Sequence, residues 1–271
     1  MVQGDVRHPA CRRVLLICLP VFLWGTLWTG CSSGSRLKSI TPQDQFAAAK
    51  AVFDREDYFK AKNLFTVLVL NSPAGGTFER AQFYLAESEY GLKEFIEAIA
   101  EYEKLIKSMP GSEFVDDARY KIGMCYYKLA PGYALDQDYT FKAISQFQQF
   151  LDDHPDSEWR PEVERRLTDC RNKLAKKEFK TGELYIKMRY ERAALISFDA
   201  VLELYRDSDF ADDALFWKGE THRRLGEIEA ADLAFRSLLV SYPQSPFVSK
   251  ASSRLKDMPR DRSASGGPSG Q

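Results

Sequence analysis

The sequence predicts an all-α fold, a solenoid of about five helix-turn-helix repeats that ends in a C-terminal capping helix. Its unit is clearest in Asp212–Pro243, where two apolar stripes at helical spacing flank a turn at Leu225-Gly226-Glu227. The same unit recurs along the chain, and every unit except the fourth ends at proline, which cannot continue a helix. Because each repeat of such a fold buries its apolar face on its neighbours, no single central core is required.

Four positions set the register of the repeats. A small residue marks the first helix at Ala49, Ala86, Gly123, Gly182 and Gly219, and the second helix at Ala61, Ala98, Ala143, Ala194 and Ala231. An aromatic follows four residues after the second of these, at Phe65, Tyr102, Phe147, Phe198 and Phe235. The stop position holds Pro73, Pro110, Pro155, Arg206 and Pro243. These offsets resemble the tetratricopeptide (TPR) repeat, which implies a TPR-like right-handed α-solenoid. The alternative is an ordinary helical bundle that matches the pattern by chance.

On this interpretation the chain has four segments. Residues 1–30 are a lipoprotein signal peptide, 31–40 a lipidated cysteine with its tether, 41–257 the TPR-repeat domain, and 258–271 a disordered tail. The repeats cover about 41–74, 77–110, 112–155, 158–206 and 209–243, and the capping helix covers 246–256. Thr41 is expected to start the first helix in a capping box with Asp44. The serines at later boundaries are expected N-caps: Ser112, Ser157, Ser208 and Ser245.

The N-terminus has the pattern of a bacterial export signal. Arg12 and Arg13 precede the apolar stretch Val14–Trp28, which is interrupted by Pro20 and Gly25 and is too short to favour a membrane-spanning helix.

Thr29-Gly30-Cys31 follows this stretch and resembles the lipobox of bacterial lipoproteins, although Trp28 stands where an aliphatic residue is usual. The resemblance implies that Cys31 is the lipidation site and carries palmitate-like acyl chains. Ser32 at the next position resembles lipoproteins that are sorted to the outer membrane. The alternative is a plain secretory signal with a chance cysteine. The mature chain would keep Cys125 and Cys170, both expected to be buried free thiols.

Two insertions lengthen the later repeats. The third repeat contains an expected loop at residues 130–138, and the fourth begins with a helix that is expected to be several turns longer than the others. This long helix is rich in basic residues: Arg165, Arg166, Arg171, Lys173, Lys176, Lys177 and Lys180. They are expected to form a solvated, salt-bridged face, and a docking surface for an acidic partner is the alternative.

Two runs of residues resemble the BamD family, the lipoproteins of the bacterial β-barrel outer-membrane protein assembly machinery. The first is Asp136-Gln137, Lys142-Ala143, Phe147, Phe150, Leu151, Pro155 and Ser157. The second is Cys170-Arg171, Leu174-Ala175, Glu178, Gly182 and Tyr185. The resemblance covers about residues 40–250 and implies a protein that is lipid-anchored in the outer membrane and faces the periplasm. It implies docking of the C-terminal repeats to the POTRA domains of a BamA-like β-barrel protein, contacts with other Bam lipoproteins, and capture of unfolded outer-membrane proteins by the N-terminal repeats.

Aromatic residues flank the small residue of each first helix. Three positions before it stand Phe46, Phe83, Tyr120, Phe179 and Phe216, and four positions after it stand Phe53, Tyr90, Tyr127, Ile186 and Arg223. Positions seven apart share a helix face, so the first three repeats are predicted to present two aromatic rows. The resemblance to TPR repeats implies that this face lines a concave, peptide-binding groove. Lys50 and Arg119 lie near these rows in the register and would suit a peptide carboxylate. Packing of the rings between repeats is an equal alternative. The candidates for partner docking are Phe179, Tyr185, Phe216 and Arg223.

The composition and motifs favour a binding scaffold over an enzyme. A net charge of −1 does not indicate a nucleic-acid partner. His154 and His222 have no evident nucleophile or metal partner, and no phosphate-binding or metal motif appears, so no catalytic residue, metal or cofactor is predicted. A different periplasmic TPR lipoprotein, an adaptor in cell-wall or division coordination, is the alternative function.

Overall fold

The computed structural model describes residues 41–71 and 75–258, which form eleven α-helices and contain no strand. The helices are α1 Pro42–Phe53, α2 Tyr58–Asn71, α3 Gly76–Gly91, α4 Phe95–Ser108, α5 Val115–Leu129, α6 Asp138–Asp153, α7 Arg160–Lys187, α8 Glu191–Leu204, α9 Ala211–Arg224, α10 Ile228–Ser241 and α11 Val248–Asp257. Each helix packs mainly on the next one along the chain, which is the arrangement of a solenoid. The predicted all-α, TPR-like fold is confirmed.

The first helix begins as its sequence predicts. The Thr41 Oγ1 atom accepts a hydrogen bond from the Asp44 N–H at 3.1 Å, and the Asp44 carboxylate accepts one from the Thr41 N–H at 3.1 Å. This reciprocal capping box satisfies backbone donors that have no partner within the helix. The hydrogen bonds from Thr41 lower the pKa of the Asp44 carboxyl.

The C-terminal boundary lies slightly further along the chain than expected. Met258 was expected to open a disordered tail, but its side chain is only 8% exposed and packs in the cluster that contains Phe235 and Ala251. The predicted signal peptide, Cys31 with its tether, Pro73 and the tail after Met258 lie outside the described residues.

The boundary serines are not the N-caps of their helices, and this prediction was wrong. Each serine Oγ accepts a hydrogen bond from the N–H two residues later, at 3.1 Å from Ser112 to Phe114 and 3.3 Å from Ser157 to Trp159. A short turn therefore precedes each helix, and the N-cap positions are occupied by Phe114, Trp159, Phe210 and Phe247.

These N-cap aromatics join consecutive repeats. Phe114 stacks on Phe83 with ring centroids 4.7 Å apart, and Trp159 stacks on Tyr120 at 4.4 Å. The pairs Phe210–Phe179 at 5.8 Å and Phe247–Phe216 at 4.5 Å repeat the contact further along the chain. In the last four repeats, the ring three positions before the small residue thus packs against the start of the following element, whereas Phe46 packs on Phe65 and Tyr84.

The small residues permit close crossing of the two helices in each repeat. A Cβ atom built on Gly123 would lie 2.5 Å from the Phe147 ring, and one on Gly219 would lie 2.6 Å from the Phe235 ring. Both distances are shorter than any ordinary carbon–carbon contact, so glycine is the residue that fits beside a fully buried phenylalanine at these crossings.

Helix α7 is the expected long helix and runs for 28 residues. Its basic side chains are largely engaged within the chain. Lys177 donates to the Leu135 carbonyl at 3.0 Å, and Arg171 forms an ion pair with Asp207 at 2.5 Å. Lys176 lies 4.8 Å from the centre of the Tyr133 ring. These contacts to the 130–138 loop and to the next repeat favour the salt-bridged face over a docking surface.

Candidate functional site

An open pocket of about 690 Å³ lies between the first three repeats. Its walls come from five helices and their turns: Phe53, Tyr58, Glu87, Tyr90, Gly91, Lys93, Phe95, Lys121 and Lys128. Two residues that the sequence predicted for a peptide groove, Phe53 and Tyr90, are among them. Its size and its mixture of rings and charges fit a few side chains of a peptide rather than a large folded surface.

The apolar wall of the pocket consists of two edge-to-face aromatic pairs. The Phe53 and Tyr58 ring centroids are 5.4 Å apart, and the Tyr90 and Phe95 centroids are also 5.4 Å apart. The first pair can approach helix α3 because Gly91 has no side chain; a Cβ there would lie 2.7 Å from the Tyr58 ring. An aromatic ligand side chain would find further ring edges and faces at contact distance.

The polar wall carries three lysines and one glutamate. Lys121 forms an ion pair with Glu87 at 2.8 Å, and its Nζ atom lies 4.7 Å from the centre of the Tyr90 ring. Lys93 lies in the turn between α3 and α4 with a left-handed backbone at φ 64°. Lys128 is exposed near the end of α5. With Glu87 paired, the wall keeps an excess of positive charge, which favours a ligand that carries a carboxylate.

The Tyr90 hydroxyl remains protonated under ordinary conditions. Burial, with smaller effects from neighbouring groups, raises the pKa of Tyr90 to about 12. The side chain therefore offers a neutral hydroxyl that can donate a hydrogen bond, beside a ring that a ligand can contact.

Six of the eight predicted groove residues do not line this pocket, and two of the six are the predicted cations. Lys50 forms an ion pair with Asp54 in its own helix and lies 5.0 Å from the centre of the Tyr84 ring. Arg119 pairs with Asp153 at 3.6 Å.

Tyr127 occupies the same repeat position as Tyr90 but faces helix α7. Its hydroxyl donates to Asp169 at 3.2 Å, and the Arg166 guanidinium lies 5.0 Å from the centre of its ring. Of the aromatic row four positions after the small residues, Phe53 and Tyr90 therefore line the pocket, and Tyr127 packs on the long helix α7.

The other predicted row is buried. Phe46, Phe83 and Tyr120 are 4%, 8% and 6% exposed, and their rings pack on neighbouring aromatics. This burial favours the packing alternative for these three residues, and it leaves them little surface for a ligand.

The residues predicted for partner docking divide in the same way. Phe179 and Phe216 are buried at 3% and 6% exposure, whereas Tyr185 is half-buried and Arg223 is exposed. Arg223 donates to the buried carboxylate of Glu220 at 3.1 Å. Of the four, only Tyr185 and Arg223 offer surface to another protein.

The pocket also contains residues that the sequence analysis missed. Tyr58 and Phe95 both stand three residues before the small residue of a second helix, a position held by Thr140, Glu191 and Ile228 in the other repeats. The aromatic pair was therefore visible in the register. No sequence pattern indicates Lys93, because the direction of its side chain depends on a turn with a left-handed backbone. Any residue type can adopt that backbone at some cost.

Neither a metal site nor a membrane-spanning helix is found in the described part of the chain. None of its helices combines enough length and hydrophobicity to cross a bilayer. In the same residues no group of three or more histidine, cysteine, aspartate or glutamate side chains is arranged to hold a metal ion. Cys125 and Cys170 are buried free thiols, and burial raises their pKa values to about 12 and about 11.

Comparison with known proteins gives a consistent family. Residues 38–236 match the family model YfiO, described as an outer membrane lipoprotein. The outer membrane protein assembly factor BamD of Caulobacter vibrioides is 22% identical over 207 residues, which cover 74% of this chain and 68% of the relative. The BamD of Rickettsia prowazekii is 24% identical over 206 residues, or 76% of this chain and 82% of the relative. Among solved structures, a thermophilic TPR protein of Thermus thermophilus covers 80% of this chain and all 100% of its own, with a TM-score of 0.35 and 16% identity.

Proposed function

Because the chain belongs to the YfiO family of outer-membrane lipoproteins, we propose that it is a scaffold of the β-barrel assembly machinery, anchored to the outer membrane through Cys31. In this role it binds the POTRA domains of a BamA-like β-barrel protein and segments of unfolded outer-membrane proteins, on the periplasmic face. Other Bam lipoproteins are further partners. Support for this proposal comes from the relatives, which are named as outer membrane protein assembly factors.

The pocket of repeats one to three is the observation that carries the substrate half of the proposal. Barrel proteins characteristically end in an aromatic-rich strand, and a chain end adds a carboxylate. The rings of Phe53, Tyr58, Tyr90 and Phe95 provide contacts for an aromatic side chain, and the lysine wall provides charge for the carboxylate. The proposed peptide site therefore consists of the pocket residues, and it excludes the buried row and the residues that face α7.

The partner half of the proposal rests on the C-terminal repeats. Tyr185 and Arg223 are the predicted docking residues that keep accessible surface. The hydrogen bond to Glu220 already orients the Arg223 guanidinium. Less conformational entropy is therefore lost at this side chain when a partner binds.

A peptide-binding measurement tests the substrate half. The ligand is a labelled peptide that ends in phenylalanine with a free carboxylate, and its amidated form is the control ligand. We expect Tyr90→Ala and Lys128→Gln each to weaken binding of the free-carboxylate peptide by about tenfold, the effect of about 1.4 kcal/mol. Lys128→Gln should leave binding of the amidated peptide unchanged, because it removes only the charge contact.

The matched control for Tyr90→Ala is Tyr127→Ala, which truncates the same repeat position outside the pocket. It should bind the peptide as the unmodified protein does. Equal losses of peptide affinity in Tyr127→Ala and Tyr90→Ala would show that truncating the ring acts through stability or through a different groove. That result would count against this pocket as the peptide site.

A further inference from the structure

The outer face of helix α2 is apolar, although the described chain does not cover it. Phe59, Val67 and Leu70 are 65%, 51% and 74% exposed. At 100° per residue they fall within an arc of roughly 80° on one side of the helix. The opposite side of α2 is also apolar, with Phe65 and Leu68 buried in the core. The helix therefore carries apolar residues on two opposite sides, and only one of them is covered.

The Val67 and Leu70 part of this face is absent from the three repeats that follow, whereas the Phe59 position is also held by exposed Ile96 and Phe141 in repeats two and three. The positions of Val67 and Leu70, six and nine residues after the small residue of the second helix, can be compared in every unit. They hold Lys104 and Lys107, then Gln149 and Asp152, then Ala200 and Glu203, and finally Ser237 and Val240. A face required by solenoid packing would be apolar in all repeats, so the apolar pair in repeat one needs another cause.

Chain length points to the cause. Cys31, the proposed lipidation site, stands ten positions before Thr41, where the first helix is capped. A fully extended segment of this length spans at most about 35 Å. Because the turn at residues 54–57 reverses the chain, the C-terminal end of α2 packs beside the start of α1, where the tether leaves. Leu70 is therefore at the tethered end of the first repeat.

We propose that the outer face of α2, formed by Phe59, Val67 and Leu70, lies on the phospholipid surface to which the protein is anchored. The inference rests on the lipid anchor of the proposed function and adds a second membrane contact, made by the fold itself. Amphipathic faces of this kind sit about 5–10 Å into the boundary between headgroups and acyl chains. Asn63 is exposed within the same arc and Lys60 is exposed at its edge, and both polar side chains suit the headgroup level.

The contact would fix the direction of the solenoid. A lipidated cysteine alone would allow the first repeat to turn freely within the reach of its tether. With the α2 face on the bilayer, the pocket residues on the first helices are held at a defined side of that repeat, and later repeats extend from a fixed start.

Depth-dependent fluorescence quenching tests the inference. Full-length lipidated protein carrying Leu70→Cys is labelled with an environment-sensitive fluorophore and reconstituted into vesicles of phosphatidylethanolamine and phosphatidylglycerol. Cys125 and Cys170 are buried, which directs the label to the new cysteine. The matched control is Lys107→Cys, the same repeat position one repeat further along. We expect nitroxide-bearing lipids to quench the label at position 70 several-fold more strongly than the label at position 107.

A second variant separates membrane contact from mere proximity. Adding Phe59→Ser and Val67→Ser to the Leu70→Cys protein should reduce quenching to the level of the control, while the lipid anchor keeps the protein on the vesicles. Equal quenching at positions 70 and 107 with full retention would overturn this inference alone. Loss of vesicle retention in the unmodified protein would overturn the lipid anchor of the proposed function and this inference together.

Discussion

The crossing of α9 and α10 at Gly219 allows a prediction whose size can be worked from the structure. In Gly219→Ala the new Cβ atom would lie 2.6 Å from the nearest atom of the Phe235 ring and 2.9 Å from the next two. Carbon atoms normally approach to about 3.5–4.0 Å, so the ring or the helix has to move by about 1 Å. Phe235 is fully buried, and it has no free space into which it can retreat without disturbing its neighbours.

Two opposing terms determine the free energy of unfolding of this variant. Overpacking of a filled core costs about 1–3 kcal/mol. Alanine gains about 1 kcal/mol over glycine in a helix interior. We therefore expect the free energy of unfolding of Gly219→Ala to be lower than that of the unmodified protein by up to about 2 kcal/mol. Urea unfolding followed by circular dichroism measures this difference. Gly76→Ala is the control, because a Cβ at the first residue of α3 would meet no atom within 4 Å.

The double variant Gly219→Ala, Phe235→Leu makes the test independent of that balance. Phe235→Leu alone leaves unfilled space beside Gly219, and the alanine methyl occupies part of it. We expect a favourable coupling of about 0.5–3 kcal/mol in the double-mutant cycle, because the two side chains share one contact. Strict additivity of the two single changes would show that Gly219 and Phe235 do not compete for space, and would refute the reasoning.

Two further predictions concern polar groups inside the solenoid. Glu89 is 8% exposed, and burial, with the Glu101 carboxylate nearby, raises its pKa from 4.5 to about 7. The folded state thus favours the neutral carboxylic acid of Glu89. The stability that protonated Glu89 contributes is lost as the pH rises from about 4.5 through 7. Glu89→Gln should become more stable than the unmodified protein across this window, by up to about 3 kcal/mol at pH 8, and a pH-independent difference in urea unfolding would contradict this assignment. Gln137 donates to the carbonyls of Gly132 and Leu135 at 2.9 and 3.0 Å and accepts from Thr140 at 2.7 Å. Gln137→Ala should cost about 1–3 kcal/mol and speed hydrogen exchange in the 130–138 loop, and unchanged exchange there would show that other contacts hold the loop.

The repeat register was predictable from sequence because it records hard steric limits. A glycine or alanine stands at each crossing because a larger side chain would collide with the aromatic ring four residues after the second small residue. The length of α7 was predictable for a related reason, since the stretch after Pro161 contains no residue that would break a helix.

The site was only partly predictable, because periodicity shows which residues share a face but does not show what covers that face. Phe83 and Tyr90 lie seven residues apart on one helix, yet Phe83 is covered by Phe114 from the next repeat and Tyr90 opens into the pocket. The covering ring is the N-cap of α5 and stands two residues after Ser112, the cap that the sequence predicts. The sequence leaves packing and binding as equal alternatives for Phe83, and the stack with Phe114 favours packing.

The cations of the pocket show the same limit. Lys50 and Arg119 were chosen by their place in the register, but each is engaged by a nearby acid. Lys121 and Lys128 come to the pocket from α5, and their approach depends on how repeat three packs on repeat two. Such a contact between repeats becomes visible only in three dimensions.

The most direct test of the central claim is recovery of the partners of the lipidated protein. The full-length chain is purified from detergent-solubilised outer membrane, and the co-eluting proteins are identified by mass spectrometry. The account predicts a POTRA-bearing β-barrel protein at near-stoichiometric yield, and reduced yield from a variant with Tyr185→Ala and Arg223→Ala. Recovery of cell-wall enzymes without such a barrel protein would contradict the account and would indicate an envelope adaptor that shares the fold.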